Sequence, residues 1–461
     1  MKNSSAILFY AASLAAAVGI FLLIRFAGLR ISPPLAPQPQ EIPATSPSAE
    51  ATAVLLHVLL ALVVIVVAAR ILGAVFRWLH QPQVMGEVVA GLLLGPSFLG
   101  WLAPQLSSRL LSPAIAPLLA IIAQVGVILF MFLVGLELNT NLLRQRTRAT
   151  IAISHTSIMV PFLLGAGLAL WLYPRFTGGG VSFTAFALFI GVAMSVTAFP
   201  VLARILTDTK MQASRMGVLA LACAAVDDVT AWCLLALVVG VAHAQPGRVL
   251  LTVGAAIAFI LFVLLIVRRG AVWLARHQSS QGTTTQPMFA IVCVSLLVSA
   301  LLTERIGIHA LFGAFLLGAI VPHDSQLARD LREKCEDLVV VLFLPVFFAF
   351  TGMRTQIGLL QEPIDWLVCL LIILVASLGK FGGTFFAARL TGSDRREAAS
   401  LGILMNTRGL MELVVLNIGL DLGILSPALF AMFVLMAVVT TLATTPILHA
   451  LSPLGRLEQS G

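Results

Sequence analysis

The sequence predicts an all-α membrane protein with about 13 to 14 transmembrane helices, counted at roughly 20 residues for each crossing. Composition is the first indication: 59% of the 461 residues are hydrophobic and 10% are charged, whereas about 25% of a soluble protein is charged. The mean hydropathy of +1.04 agrees. The second indication is a succession of apolar runs that are long enough for helices to cross the hydrocarbon core.

The first apolar run, at 6–29, ends in basic residues rather than in a small-residue cleavage site, which favours a retained helix over a signal peptide. A Pro/Ser-rich connector follows. We therefore expect an extra helix and linker over 1–50, a transmembrane domain over 51–450 and a short cytoplasmic tail over 451–461. The spans of the transmembrane domain are predicted at 52–74, 84–101, 113–138, 149–173, 181–206, 213–243, 248–268, 286–304, 307–322, 337–353, 365–389, 397–420 and 424–449.

Basic residues are concentrated in alternate predicted loops, and the intervening loops hold one base each. By the positive-inside rule the basic loops are cytoplasmic, and so is the C-terminus. Because these bases are scattered over short loops, the net charge of +8 does not indicate nucleic-acid binding. The basic loops hold Arg70 and Arg77; Arg144, Arg146 and Arg148; Arg204, Lys210 and Arg215; Arg268, Arg269 and Arg276; Arg329, Arg332 and Lys334; and Arg389, Arg395 and Arg396.

Two adjacent carboxylates, Asp227 and Asp228, lie inside the apolar run from Met216 to Ala242. A carboxylate at that depth costs on the order of 2.5–3.5 kcal/mol even on lenient insertion scales. One aspartate could simply pair with a buried base and hold helices together. A structural ion pair accounts for one buried aspartate but not for two adjacent ones, so the sequence predicts a functional site here.

Two other predicted spans carry polar interruptions in mid-span. The span at 181–206 contains AMSVTAFPVLARIL, where a proline removes a backbone donor and predicts a kink or break near Phe199. The span at 397–420 contains LMNTRGLMELVVLN, which predicts a second unwound stretch. Paired interruptions in corresponding positions of two halves indicate a transporter built from inverted repeats. The interrupting residues are Ser195, Thr197 and Pro200 in the first span, and Asn406, Thr407, Arg408, Gly409 and Glu412 in the second.

Lys380 is a base near the middle of its own predicted span, so it needs an anionic partner. The two aspartates are the obvious candidates. Adjacent residues of a helix point about 100° apart. One aspartate can therefore pair with Lys380 while the other faces a cavity. Arg408 and Glu412, four residues apart, either satisfy each other or place a fixed charge at the second interruption. Glu87, at the start of a span, is expected to be interfacial.

These motifs resemble the monovalent cation:proton antiporter superfamily, in the branch of bacterial sodium/proton antiporters, potassium-efflux antiporters and plant cation/proton exchangers. The resemblance covers nearly all of 51–450. The matching stretches are QPQVMGEVVAGLLLGPS (81–97), FMFLVGLELNTNLL (130–143), AMSVTAFPVLARIL (193–206), AAVDDVTAW (224–232), HALFGAFLLGAIVP (309–322), FLPVFFAFTGMRT (343–355), Lys380 and NTRGLMELVVLNIGLDLGILS (406–426).

The resemblance implies a core domain of two inverted repeats, in which the interrupted helices cross, and a dimerisation domain. It therefore implies a homodimer. The expected location is a bacterial inner membrane. The resemblance also implies that Asp228 binds the ion, that Asp227 pairs with Lys380 and that Thr197 lies beside the site. The plant exchangers usually carry an Asn-Asp pair where this chain has Asp227-Asp228, as in the electrogenic bacterial antiporters. This departure bears on substrate and stoichiometry.

The expected function is exchange of a monovalent cation for protons, without a cofactor and without enzymatic chemistry. Asp228 would hold either a proton or a cation, with hydroxyl oxygens of Thr197 and of Ser195 as further ligands. Sodium is the expected cation, and potassium exchange or efflux and export of an organic ligand are the alternatives. Adjacent aspartates diverge on a helix, which argues against an intramembrane aspartyl protease. The sequence contains no TVGYG-like selectivity filter, so it does not indicate a channel.

Overall fold

A computed structural model describes residues 2–29, 48–111, 115–137, 148–177, 180–209, 211, 214–243, 249–278 and 285–451. The predicted linker, the basic loop at 138–147 and the tail after residue 451 lie outside these ranges. All regular elements of the described residues are helical. In chain order they are α1 (Lys2–Gly28), α2 (Ser48–Trp78), α3 (Gln83–Leu94), α4 (Leu99–Leu102), α5 (Pro104–Leu110), α6 (Ala116–Glu137), α7 (Arg148–Phe176), α8 (Phe183–Ser195), α9 (Phe199–Asp208), α10 (Arg215–His243), α11 (Val249–Phe262), α12 (Arg268–Gln278), α13 (Gln286–Ile306), α14 (Ala310–Ile320), α15 (Gln326–Leu338), α16 (Leu344–Arg354), α17 (Pro363–Leu390), α18 (Arg395–Met405), α19 (Leu410–Asp421) and α20 (Pro427–Leu451). Short π-helical turns join α11 to α12 and α15 to α16.

Ten helical stretches of the described residues are long and apolar enough to cross a bilayer, and α18 with α19 makes an eleventh that is bent by 43°. Three shorter apolar helices lie at Ala15–Gly28, Phe183–Ser195 and Ala310–Ile320. Together these stretches account for each of the predicted apolar runs. The all-helical, many-span fold class is therefore confirmed.

The helices pack in two groups. In the first group, which we call the scaffold, α3 packs against α2 and α16, and α14 packs against α13 and α6. In the second group, which we call the core, α7 packs against α8 and α17, and α17 packs against α18 and α20. α10 joins the core through α7 and α8, and the extra helix α1 lies on the same two helices.

The scaffold shows the reciprocal packing expected of inverted repeats. A helix of the first half, α3, packs on α16 of the second half, and α14 of the second half packs on α6 of the first. Both contacts require glycine. A Cβ at Gly91 would lie 2.2 Å from the carbonyl oxygen of Phe348, and a Cβ at Gly318 would lie 2.2 Å from that of Phe132. Either substitution would push the paired helices apart.

The basic stretches around Arg268 and Arg329, expected in loops, lie instead on the helices α12 and α15, and Leu327 and Leu331 of α15 are buried. The side chain of Ser325 caps α15 by accepting from the backbone N–H of Ala328 at 3.2 Å. Glu87, expected at the interface, is buried, and it accepts a hydrogen bond from Gln83 at 3.1 Å. An i,i+4 partner on the same helix face makes its burial possible.

Candidate functional site

The first interruption is a complete break rather than a kink. α8 ends at Ser195, Val196 has an extended backbone, and α9 begins at Phe199 with proline in its first turn. Proline suits that position because its missing N–H would have no partner in the helix anyway. The second interruption separates α18 from α19 over residues 406–409.

The two breaks touch each other. The backbone N–H of Ala198 donates to the carbonyl oxygen of Thr407 at 3.0 Å. The hydroxyl of Thr197 lies 3.2 Å from the carbonyl oxygen of Met405, the last residue of α18. Unwound backbone in a membrane protein must find such partners within the protein, since lipid offers none.

Side chains satisfy the last four carbonyl groups of α8, which have no partner within the helix. The hydroxyl of Ser195 donates to Val192 at 2.9 Å. Arg408, from the second break, donates to Ala193 at 2.8 Å and to Met194 at 2.7 Å. Lys380 donates to the carbonyl oxygen of Ser195 at 2.5 Å. Two cations thus sit at the negative end of the α8 dipole, where they are most favourable.

Asp227, on α10, is surrounded by donors. Oδ1 accepts from the hydroxyl of Ser154 at 2.7 Å. Oδ2 lies 2.7 Å from the hydroxyl of Ser157, 3.0 Å from that of Thr197 and 3.0 Å from Nζ of Lys380. Asp227 and Lys380 are both fully buried. A buried ion pair offsets its desolvation cost only when further hydrogen bonds satisfy it, and this one has them.

Arg408 forms a second buried ion pair with Glu412, at 2.7 Å and one turn along the chain. The sequence left two roles open for this pair, mutual neutralisation and a fixed charge at the second interruption, and the pair has both. The two residues satisfy each other, and the arginine also holds a positive charge at the end of α8. One carboxylate oxygen of Glu412 and Nε of Arg408 have no hydrogen-bond partner among the described residues.

Asp228 is different from its neighbour. It is 3% exposed, and neither of its carboxylate oxygens has a hydrogen-bond partner among the described residues. The backbone N–H of Phe199, at the positive end of α9, interacts with it electrostatically. A buried acceptor that lacks a partner costs about 1–3 kcal/mol, and more when it is charged.

The buried acidic and basic side chains around the two breaks, a region we call the crossing, are unequal in number. Lys380 lies within electrostatic range of Asp227, Arg408 and Glu412, and Asp228 lies within range of Asp227 and Lys380. These five buried groups comprise three carboxylates and two bases. When all are ionised, one negative charge is left over, and Asp228 is the carboxylate without a basic partner.

The remaining predicted residues lie at the two breaks and make the following contacts. The hydroxyl of Thr197 faces Asp227 rather than Asp228. The hydroxyl of Ser195 bonds back to its own helix, and only its carbonyl group reaches Lys380. Asn406 lies 3.5 Å from the hydroxyl of Ser377, and the hydroxyl of Thr407 donates to the carbonyl oxygen of Leu404. These two residues shape the second break.

Sequence reasoning missed two residues of the site, Ser154 and Ser157 on α7. Both hydroxyls are buried against Asp227. The available signal was the polar stretch ISHTS at 153–157 in an otherwise apolar span. Spaced three apart, the two serines share one face of the helix.

Comparisons with known proteins agree with this architecture. A family model described as "Sodium/hydrogen exchanger, transmembrane" matches residues 52–451. The Na(+)/H(+) antiporter NhaS4 of Synechocystis sp. is 43% identical over 405 residues, which cover 87% of this chain and 98% of that protein.

More distant relatives are longer than this chain. Cation/H(+) antiporter 20 of Arabidopsis thaliana is 38% identical, over 84% of this chain and 47% of that protein. K(+)/H(+) antiporter 1 of Saccharomyces cerevisiae is 33% identical, over 84% of this chain and 46% of that protein. The chain thus spans about half the length of these plant and yeast relatives.

The fold is also that of a solved antiporter. The sodium proton antiporter MjNhaP1 from Methanocaldococcus jannaschii matches 86% of this chain and 97% of its own, with a TM-score of 0.58 and 15% identity. With a family match over most of its length and a relative 43% identical along nearly that relative's whole length, this integral membrane protein belongs to the sodium/hydrogen exchanger family of transporters.

Proposed function

We propose that this protein exchanges a monovalent cation for protons and that Asp228 is the carboxylate that carries them in turn. The observation that carries the proposal is the isolation of Asp228, a buried acceptor with no hydrogen-bond partner among the described residues. An isolated buried carboxylate must be neutralised, either by a proton or by a cation. One carboxylate cannot hold both productively, so the two species compete for it.

The neighbouring groups suit that competition. Hard oxygen atoms are the natural ligands of alkali cations. Because Thr197 donates its hydroxyl proton to Asp227 or to Met405, its oxygen keeps lone pairs for a cation at Asp228. Carbonyl groups of the unwound backbone supply further oxygen ligands. No cofactor other than the transported ions enters this proposal.

Asp227 and Lys380 have a different role in this proposal. Their ion pair holds α10 and α17 against the end of α8. If the pair also releases a proton when the cation binds, more than one proton moves for each cation and transport is electrogenic. This step is testable because electrogenic exchange responds to an imposed membrane potential and electroneutral exchange does not.

Sodium is the first cation to test and potassium is the second, since relatives carry both ions in their names. We further propose a cytoplasmic C-terminus, because basic residues are concentrated in alternate connections between the spans, and a bacterial inner membrane, because the relative NhaS4 is bacterial. A homodimer formed through the scaffold is the expected assembly. Its test is the mass of the purified protein in detergent, measured by light scattering.

The test of function uses proteoliposomes that contain a pH-sensitive dye. Sodium or potassium is added to wild-type protein and to the Asp228→Asn variant. We expect a cation-triggered pH change with the wild type that is lost in the variant. If folded wild-type protein gives no response to either ion over a range of pH, the proposed exchange is wrong. If Asp228→Asn transports normally, exchange stands but Asp228 is not its carrier.

A further inference from the structure

Trp232 is the second orphaned polar group on the Asp228 side of α10. It lies one turn after Asp228 and is 3% exposed, and its indole Nε1 has no hydrogen-bond partner among the described residues. A buried tryptophan N–H usually finds a partner. Residues four apart on a helix share a face, with Cβ atoms about 5–6 Å apart. The two orphaned groups are therefore neighbours.

The ring of Trp232 defines where this face of α10 lies. It stacks on Phe315 of α14, with ring centroids 6.3 Å apart and an interplanar angle of 24°. Phe315 belongs to the scaffold, whereas Asp227, on another face of α10, bonds to the core helices α7 and α17. The side chains of Asp228 and Trp232 therefore face the boundary between the core and the scaffold.

The chemistry of the two groups is complementary. An ionised carboxylate only accepts hydrogen bonds and an indole N–H only donates them. A water molecule between them would satisfy both, and a buried water needs about two to four polar partners of this kind. An indole cannot coordinate a cation itself. It can, however, donate to the oxygen of a water molecule that the cation keeps from its hydration shell.

We propose that Trp232 is a positioning residue for the transported cation, and that its indole N–H holds one water of a partly hydrated ion at Asp228. This inference rests on the proposed exchange at Asp228. It makes the substrate of the site a monovalent cation that retains at least one water molecule, rather than a bare ion. Stacking on Phe315 holds the indole ring at the scaffold, so the proposal places the water on the scaffold side of Asp228.

The test separates the N–H group from the ring. Trp232→Phe keeps an aromatic ring against Phe315 and removes the donor, whereas Trp232→His keeps a ring with an N–H. In proteoliposomes we expect Trp232→Phe to raise the cation KM about three- to tenfold, the worth of one net hydrogen bond, with little change in the maximal rate. Trp232→His should keep the KM within about twofold of wild type.

A second measurement does not depend on transport. Thermal unfolding in detergent, followed against cation concentration, reports the apparent cation affinity. The cation concentration that gives half of the maximal stabilisation is the midpoint of this titration. It should rise in Trp232→Phe by the same factor as the KM. The matched control is Trp366→Phe, because the indole N–H of Trp366 donates to the carbonyl oxygen of Leu360 at 3.1 Å, away from the crossing. This control should leave both the KM and the midpoint unchanged.

The outcomes distinguish this inference from the function on which it rests. If the wild type exchanges ions and Trp232→Phe matches it in both KM and midpoint, the role of Trp232 is wrong while the exchange stands. Equal KM increases in Trp232→Phe and Trp232→His would also overturn it, because ring packing alone would explain them. If wild type shows neither exchange nor cation-dependent unfolding, the proposed function fails first. Should Trp232→Phe not fold, Trp232→Met replaces it, since methionine fills irregular space and lacks the donor.

Discussion

The two aspartates of α10 are adjacent in sequence and opposite in environment. Asp227 faces three hydroxyls and a lysine ammonium group within 3.0 Å. Asp228 has no hydrogen-bond partner among the described residues, and its face of α10 meets the scaffold through Trp232 and Phe315. In the proposed exchange, this difference separates a carboxylate that holds the fold together from one that binds the ion. A carboxylate that is fully bonded stabilises the structure, and one that is isolated stays open to a proton or a cation.

The largest effect that would test this comparison is on stability. Replacing Lys380 by methionine leaves the Asp227 carboxylate buried without its cation and removes the donor to the last carbonyl group of α8. Breaking a buried pair in this way costs about 3–5 kcal/mol. We therefore expect the melting temperature of Lys380→Met in detergent to fall sharply.

Asp228→Asn is the matched control, because it removes the carboxylate charge of α10 that has no hydrogen-bond partner among the described residues. We expect its melting temperature to equal or exceed that of the wild type, although it does not transport. Equal losses of stability in Lys380→Met and Asp228→Asn would show that the two faces of α10 do not differ as described.

The second ion pair should show an intermediate effect. Glu412→Gln keeps an oxygen acceptor for Arg408 but leaves the guanidinium group without its counter-charge, and the arginine still donates to Ala193 and Met194. Because two of its hydrogen bonds persist, we expect a loss of about 1–3 kcal/mol in the free energy of unfolding. Chemical denaturation in detergent measures it. A loss as large as that of Lys380→Met would mean that the counter-charge, rather than the carbonyl contacts, holds Arg408.

Much of this arrangement was visible in the sequence. Aspartates, a lysine and polar interruptions stand out in apolar runs because lipid does not tolerate them without a reason. The sequence also left both roles of Arg408 open, and the structure assigns both. What spacing could not provide was the rotation of each helix at a break. For that reason the sequence could not show that the hydroxyl of Thr197 donates to Asp227.

Ser154 and Ser157 were missed for a different reason. Hydroxyl groups in transmembrane helices commonly bond back to their own helix. Thr156 does so, since its hydroxyl donates to the carbonyl oxygen of Ala152 at 2.7 Å. The sequence ISHTS does not distinguish this threonine from the serines beside it. Only the packing of α7 against α10 brings the serines to Asp227.

These serines provide a smaller test. Ser157→Ala removes one donor to Asp227 and leaves the hydroxyls of Ser154 and Thr197 and the ammonium group of Lys380 in place. We expect a loss of about 0.5–1.5 kcal/mol in the free energy of unfolding, the net worth of one hydrogen bond. The transport rate should be reduced but not abolished.

Thr156→Val is the control for the serines, since within the described part of the chain the hydroxyl that it removes bonds to its own helix alone. It should leave transport unchanged. If Ser157→Ala behaves like this control in both unfolding and transport, the hydroxyl contacts of Asp227 contribute nothing measurable, and the lysine alone accounts for its environment.

The smallest effect is expected at an ion pair that resembles the buried ones in geometry but not in position. Arg354 of α16 donates to Asp421 of α19 at 2.6 Å, shorter than the 3.0 Å between Lys380 and Asp227. Asp421 is 51% exposed. Water screens an exposed pair, so Asp421→Asn should change the free energy of unfolding by about 0–1 kcal/mol, and the change should disappear in high salt. If distance alone determined the worth of an ion pair, Asp421→Asn would be as damaging as Lys380→Met. A measured loss of that size would therefore remove burial as the reason why the Lys380–Asp227 pair matters more for stability than the Arg354–Asp421 pair.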